Sequence, residues 1–384
     1  MMKTYRVAIL GCRGRGGAAA RAYAVHARTE VVALCDLLPE RMHALGDELG
    51  IAARYGDFHQ MIRTEAPDIV VIPTATELHY ELSMAVLEYG VHIDVEKPIC
   101  TDLSEADQLL ALARKKGVRI AVHHQGRSGA AMKAVKAAIA EGKIGQLRSV
   151  AGSGKGYYAG YGLMNIGTHV LNAMLGVAGS VRAVTAIAQV DGRPVQPDDV
   201  LVAAGGMGYV VGEDITAGIE FASGVQGVHL QQRFSSVDSR AYRVEFAGSE
   251  GRLLWRTDEA WLLPDAHYIP GETDWQPLPI PMPLGFDPSE MANEAEYSYV
   301  DDFVCALDAG TDHECSGAEG LHVLEVLLGV FESAATGKRV ALPQADRTHP
   351  LVRWRTSAGM EPPQVGLRPY AEWLREEDRR LGRL

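Results

Sequence analysis

Five apolar runs recur through the first third of the chain, each closed by polar residues and followed by a helical pattern or a polar turn. They are Tyr5–Leu10, Val31–Cys35, Ile69–Ile72, Val91–Val95 and Val118–Val122. Near-continuous apolar strands suit a sheet covered on both faces, and strands alternating with helices make that sheet parallel. The intervening helical stretches are Ala18–Ala27, Arg41–Leu49, Tyr80–Tyr89 and Leu103–Lys116. The expected fold is α/β, beginning with a doubly wound parallel sheet. Its C-terminal strand edges carry Asp36, Thr74, Glu96, Lys97 and Gln125, and polar residues gathered there line the ligand crevice of such a sheet.

The first strand runs directly into Gly11-Cys12-Arg13-Gly14-Arg15-Gly16-Gly17 and then a helix. Glycines let the backbone approach a pyrophosphate, and unpaired N–H groups at the helix start meet its charge. Gly11, Gly14 and Gly16 are the turn candidates. Arg13 stands where the middle glycine of the usual spacing would be, and Arg13 or Arg15 is placed to add a cation. The second strand ends in Asp36, about 20 residues beyond Gly16, where a carboxylate accepts the adenosine ribose hydroxyls. Leu37 and Leu38 follow with no adjacent base for a 2′-phosphate, so NAD is expected ahead of NADP, with Arg41 or Arg13 the residues that could reverse the order.

Glu96-Lys97-Pro98 closes the fourth strand with a carboxylate, an ammonium and a turn-fixing proline. A lysine at that edge is placed to exchange a proton with a ligand oxygen, with Glu96 holding it. A solvated ion pair is the plain alternative. The loop Pro73 to His79 lies beside it, which adds His79 to the cofactor candidates.

Beyond a helix from Ala130 to Glu141 the periodicity changes to two. Gly145–Gly152, Ala183–Val190, Asp214–Phe221, Val225–Gln232, Arg243–Ala247 and Gly251–Arg256 read as strands with hairpin spacing, hence a large, mainly antiparallel, open-faced sheet in an α+β domain. Within it, Met164 to Gly176 reads as a helix from Gly167. Asn165, His169 and Asn172 recur at helical spacing and share one face, where an imidazole can shuttle a proton. His123-His124 is a poor metal pair, because neighbours along a strand point to opposite faces. No metal site is expected.

At 384 residues two domains are expected: 1–128 for the dinucleotide, 129–344 for substrate and oligomerisation, and a 345–384 tail packing on a domain or a partner subunit. The net charge of −12, with no basic stripe, argues against nucleic-acid and anionic-membrane partners. Five scattered cysteines form no Cys-x-x-Cys pair, Met1-Met2-Lys3 runs into the first strand so that no leader is expected, and no apolar stretch reaches the length of a membrane span. A cytoplasmic location is expected.

The glycine turn, Asp36, the Pro73–His79 loop, Glu96-Lys97-Pro98 and Asn165-x-Gly-x-His169 together resemble the Gfo/Idh/MocA oxidoreductase family. The resemblance covers nearly the whole chain, including Gly337 to Pro343. It implies NAD or NADP as cofactor, a small-molecule sugar or polyol as substrate, and a homodimer or homotetramer. Lys97 would touch both the reacting hydroxyl and the cofactor, and His169 would be its acid–base partner, with Asn165 the third catalytic candidate. The family pattern has Asp at the positions of Asn165 and Asn172, so two charges are missing here.

Substrate contacts are expected from Lys97, Asn165 and His169 and from Lys155, Tyr157 and Tyr158, with His229, Arg233 and His267 as further candidates. The expected activity is hydride transfer between the cofactor and a secondary hydroxyl. An NAD-dependent glycosidase, which oxidises a sugar transiently to allow elimination, would use the same groups. A non-catalytic dinucleotide-binding regulator needs the phosphate pocket but neither Lys97 nor His169.

Overall fold

The computed structural model describes residues 3–154, 156–233, 242–267 and 274–367, with isolated positions beyond. Lys155 and most of the expected tail lie outside the described residues. The chain forms two compact units. The first comprises Met1–Cys100, Glu105–Ala130 and Pro281–Gly320; the second comprises Thr101–Ser104, Ala131–Ile280 and Leu321–Leu384.

The first unit alternates strand and helix: β1 (Tyr5–Leu10), α1 (Gly14–Val25), β2 (Thr29–Cys35), α2 (Pro39–Leu49), β3 (Arg54–Tyr55), α3 (Phe58–Glu65), β4 (Ile69–Ile72), α4 (His79–Leu87), β5 (His92–Val95), α5 (Leu103–Lys116), β6 (Ile120–Val122) and α6 (Gln125–Ser128). The strands form one six-stranded sheet in the order β3-β2-β1-β4-β5-β6. Every pairing in it is parallel, as the double apolar cover of each run predicted.

The boundary at residue 128 does not enclose this unit. Helix α10 (Glu294–Ala309) belongs to it, because Tyr299, Val300, Phe303 and Val304 share a buried cluster with Tyr5, Val7, Ile9 and Tyr23 of β1 and α1. The helix has an ordinary start: Asn293 accepts from the N–H groups of Ala295 and Glu296. Local periodicity cannot show which element the apolar face of this helix packs against.

The second unit opens with α7 (Ala130–Ala140), β7 (Leu147–Gly154), α8 (Ala159–Gly162) and α9 (Thr168–Ala178). Then follow β8 (Val181–Val190), β9 (Arg193–Pro194), β10 (Leu201–Val202), β11 (Tyr209–Val210), β12 (Asp214–Phe221), β13 (Gln226–Gln231), β14 (Arg243–Gly248), β15 (Arg252–Arg256), β16 (Glu259–Leu263) and β17 (Gln276–Pro277). Helix α11 (Gly317–Thr336) begins in the first unit and continues into the second, which adds β18 (Val340–Ala341) and α12 (Pro350–Ser357). A ten-stranded sheet runs β17-β16-β15-β14-β7-β13-β12-β8-β18, with β9 on β8. It is antiparallel except where β13 meets β7. Alternation along β8, β12 and β13 buries one face and leaves Ile187, Val228 and Leu230 exposed on this sheet. Among the described residues no helix is long and apolar enough to cross a membrane.

Candidate functional site

In the first unit the glycine turn is built by two constraints. Gly11 has φ +119°, a conformation that side chains rarely adopt. A Cβ on Gly16 would stand 1.9 Å from the Gly11 carbonyl oxygen, so only glycine lets α1 begin this close to the end of β1. The first turn of α1 has neither an acidic side chain nor a side-chain cap, and Arg13, Gly14 and Arg15 are exposed there. That leaves the positive end of the helix open to an anion.

Asp36 ties the second strand to this turn. One of its oxygens accepts from Cys12 N at 2.6 Å and the other from Leu38 N at 2.8 Å. At the ends of β4 and β6, the buried Thr74 Oγ1 and Gln125 Oε1 have no hydrogen-bond partner among the described residues. Thr74 lies against Gly11 of the glycine turn, and buried polar atoms left unpaired at these strand ends fit a polar ligand with its own donors. Gly11, Gly14, Gly16, Asp36, Thr74 and Gln125 are therefore the residues fitted to hold a dinucleotide.

Arg15, Glu96 and His79 have other occupations. Arg15 Nε donates to Glu96 Oε1 at 2.7 Å, and its Nη2 donates to Glu296 Oε1 at 2.7 Å. Both edges of its guanidinium are spent on protein carboxylates, rather than on a phosphate. Glu96 is buried; its other oxygen accepts the Lys97 N–H at 3.1 Å. Burial alone would raise its pKa, but Arg15, His123 and Lys97 hold it below the usual carboxylate range. His79 is fully buried, with Nδ1 2.8 Å from Pro98 O and Nε2 3.2 Å from Thr74 O. Burial lowers its pKa, so the neutral ring donates to one carbonyl, assigned here to the nearer Pro98, and fastens the lysine turn in place.

Lys97 is the perturbed group at this edge. Loss of solvent pushes its ammonium down, Arg15 adds to that, Glu96 opposes it, and the result is a pKa of about 8. Such an amine is partly neutral near physiological pH and can take a proton.

Behind it lies a network that the sequence reading missed. His123 is buried, its Nε2 2.8 Å from Glu296 Oε2 and its Nδ1 3.2 Å from Asp94 Oδ1. Asp94 also accepts from Tyr23 and Tyr299 hydroxyls, each at 3.0 Å. A carboxylate in the middle of an apolar strand was the available signal: Asp94 is wholly buried, and a charge there demands partners. Among the described residues no group of three or more His, Cys, Asp or Glu is arranged to hold a metal ion.

In the second unit, a π-helical turn (Leu163–Gly167) leads into α9, so the helix proper starts at Thr168. Inserted turns of this kind recur at functional sites because they re-aim side chains. Asn165 and His169 are half-buried, whereas Asn172 is fully buried among the packing residues of α9. Asn165 Nδ2 donates to Tyr161 OH at 3.4 Å, and the Tyr161 ring lies 5.4 Å from that of Tyr157.

Tyr158 and His229 are fold supports here. The buried Tyr158 hydroxyl accepts from Gly212 N at 3.1 Å, and burial raises its pKa. His229 is buried in β13, with Nε2 3.2 Å from Gln231 Oε1, and burial lowers it to about 4. A Cβ on Gly167 would lie 3.4 Å from that same Nε2, so His229 sits directly beneath the Gly-x-His turn. Arg233 pairs with Glu213 at 2.6 Å. Lys155 lies outside the described residues.

Residues 5–124 match a family model described as an oxidoreductase family, NAD-binding Rossmann fold, and residues 136–342 match that family's C-terminal alpha/beta domain. The chain is 26% identical to a D-apiose dehydrogenase of Paraburkholderia graminis over 93% of this chain and 95% of that protein. It is 27% identical to a 1,5-anhydro-D-fructose reductase of Ensifer adhaerens over 80% of this chain and 90% of that one. Among solved structures it shares the fold of a levoglucosan dehydrogenase complexed with NADH and levoglucosan, at TM-score 0.72 and 22% identity, covering 89% of this chain and 100% of that one.

Proposed function

The chain belongs to the Gfo/Idh/MocA family of NAD-binding oxidoreductases, and from that premise we propose that it oxidises or reduces a secondary hydroxyl of a sugar, sugar derivative or polyol. The observation that carries the reading is Lys97: an amine with a pKa of about 8 at the C-terminal edge of an NAD-binding sheet. NAD, when bound, supplies the hydride acceptor or donor. Gly11, Gly14 and Gly16 receive the pyrophosphate, Asp36 the adenosine ribose, and Thr74 and Gln125 offer polar atoms to the rest. Neutral Lys97 takes the hydroxyl proton in the oxidative direction and returns it in the reductive one. His169 is the second acid–base group, and Asn165 orients either its ring or a sugar hydroxyl through the amide. Tyr157 offers an aromatic face to the sugar ring. Two relatives whose names specify sugar substrates, one a dehydrogenase and one a reductase, support the substrate class. The exposed apolar side chains of the large sheet support a homodimer or homotetramer, which light scattering on the purified protein tests.

The test is to incubate the protein with NAD and a panel of free sugars, polyols and glycosides, following reduced cofactor by absorbance and aglycone release in parallel. Net cofactor reduction without release is the expected result. Release without net reduction would replace the reading with an NAD-dependent glycosidase. Dinucleotide binding with neither signal across the panel would leave a regulatory protein.

A further inference from the structure

We infer that Arg15, Glu296 and His123 are positioning residues that fix Lys97 through one continuous chain of charge-assisted bonds crossing the first unit. The inference rests on reading Lys97 as the proton-handling group. The chain runs from the main-chain N–H of Lys97 to Glu96 (3.1 Å), to the Arg15 fork (2.7 Å), to Glu296 (2.7 Å), to His123 (2.8 Å) and to Asp94 (3.2 Å). It ends on two tyrosine hydroxyls.

Geometry sets the charge states. Both His123 nitrogens face carboxylate oxygens, so a neutral ring would turn a lone pair against one of them, and His123 is therefore the imidazolium. The direction of its shift agrees: burial lowers it, but Asp94 and Glu296 outweigh burial and raise it. Arg15, His123 and the Lys97 ammonium thus balance Asp94, Glu96 and Glu296. Loss of the lysine proton leaves one net negative charge for the chain to bear.

Stability alone does not account for this arrangement. Apolar side chains of similar volume would hold α10 at least as well, because buried ion pairs lose most of their attraction to desolvation. A planar guanidinium gripping two carboxylates does something that packing cannot: it fixes the orientation of Glu96 and keeps a positive charge near Lys97. Glu96 and Arg15 act on Lys97 from opposite signs, while His79 and His124, which sense it, are both pushed toward the neutral form by burial.

The experiment measures Lys97 directly. Lysines of the full-length protein are acylated competitively across pH, and the Lys97 peptide is quantified by mass spectrometry, which needs no activity. The wild-type midpoint is expected near 8. In Arg15→Gln, on the half-exposed side of the network, Glu96 is left uncompensated and the midpoint should rise by about one pH unit. Arg15→Lys restores the charge and the midpoint, but its single ammonium cannot bridge two carboxylates, so turnover stays about tenfold down. Arg15→Gln combined with Glu296→Gln should lose little more turnover than Arg15→Gln alone.

An unmoved midpoint in Arg15→Gln would overturn the inference, most directly if NAD affinity fell about tenfold instead, which would return Arg15 to the cofactor. Turnover losses that simply add and follow the melting temperature would also overturn it. A midpoint that moves while the pH–rate profile does not would count against Lys97 as the catalytic base and leave the positioning chain standing.

Discussion

The surroundings of Lys97 and of His169 are built from opposite materials. Lys97 stands at the end of a chain of charges, beside Glu96 and Arg15, and burial and those two shift its proton affinity. His169 stands on a helix whose neighbouring positions carry amides, with Asn165 bonded to a tyrosine and Asn172 buried. Where the family pattern has carboxylates, this chain has none. At Lys97 proton affinity answers to burial and to charge; at His169 the two flanking positions present amides. A base tuned by charge should respond strongly to loss of its charged neighbours, and a charge introduced at Asn165 tests the other region.

The largest expected break is Lys97→Ala. Turnover should fall by about 10²-fold or more while NAD affinity changes little, as titration calorimetry can show. Near-normal turnover would reduce Lys97 to the ion pair that its sequence context also allowed.

Next is the pH profile. If neutral Lys97 accepts the proton, kcat/KM for oxidation should rise about tenfold per pH unit below a limb near 8 and level off above it. A limb near the ordinary lysine value would mean that burial and Arg15 do not act as described.

Asn165→Asp carries the charged design into the uncharged region. A carboxylate within hydrogen-bond reach favours imidazolium, so a limb belonging to His169 should move to higher pH, by about one unit at most for a half-exposed pair. A profile identical to wild type, with protein folded and NAD bound, would make Asn165 a substrate or packing residue.

The network itself predicts how stability depends on pH. Glu296 is held at about 2, below its ordinary value of 4.5, so its contribution is present above 4.5 and lost as pH falls toward 2. His123 is raised to about 10 from 6.5, so its contribution is full below 6.5 and lost as pH rises toward 10. Melting temperatures should therefore decline on both sides, and Glu296→Gln should flatten both limbs. A stability profile unchanged by that substitution would deny the coupling.

The smallest effect is expected from Tyr158→Phe. Losing the acceptor for the Gly212 N–H should cost about 1 kcal/mol of stability and leave KM for the sugar unchanged. A raised KM with unaltered stability would return Tyr158 to the substrate.

What could be read from the sequence follows the range of the interactions. Strand and helix periodicity is local, so the parallel sheet, the glycine turn, Asp36 and the Glu96-Lys97 edge were all legible. The two-residue strand Arg54–Tyr55 was too short to show a period. The π-helical turn before His169 differs from an α-helix only in which carbonyl each N–H reaches, and no residue type announces that. The pairing of Arg15 with Glu296 joins positions 281 residues apart, beyond any local pattern, and without it Arg15 reads as a phosphate ligand.

That long reach matters for how the protein is made. The strands of the nucleotide-binding unit leave the ribosome well before α10, which supplies Tyr299, Phe303 and Glu296 only after residue 293 has been added. Until then β1 and α1 lack part of their apolar cover, and His123 lacks its second carboxylate. Chains elongate at about 5–20 residues per second, so this half-covered sheet persists for many seconds before it can close. A fragment cut at residue 128 would be arrested in that state, and an exchange of nucleotide domains between relatives must carry residues 281–320 along with the first 130.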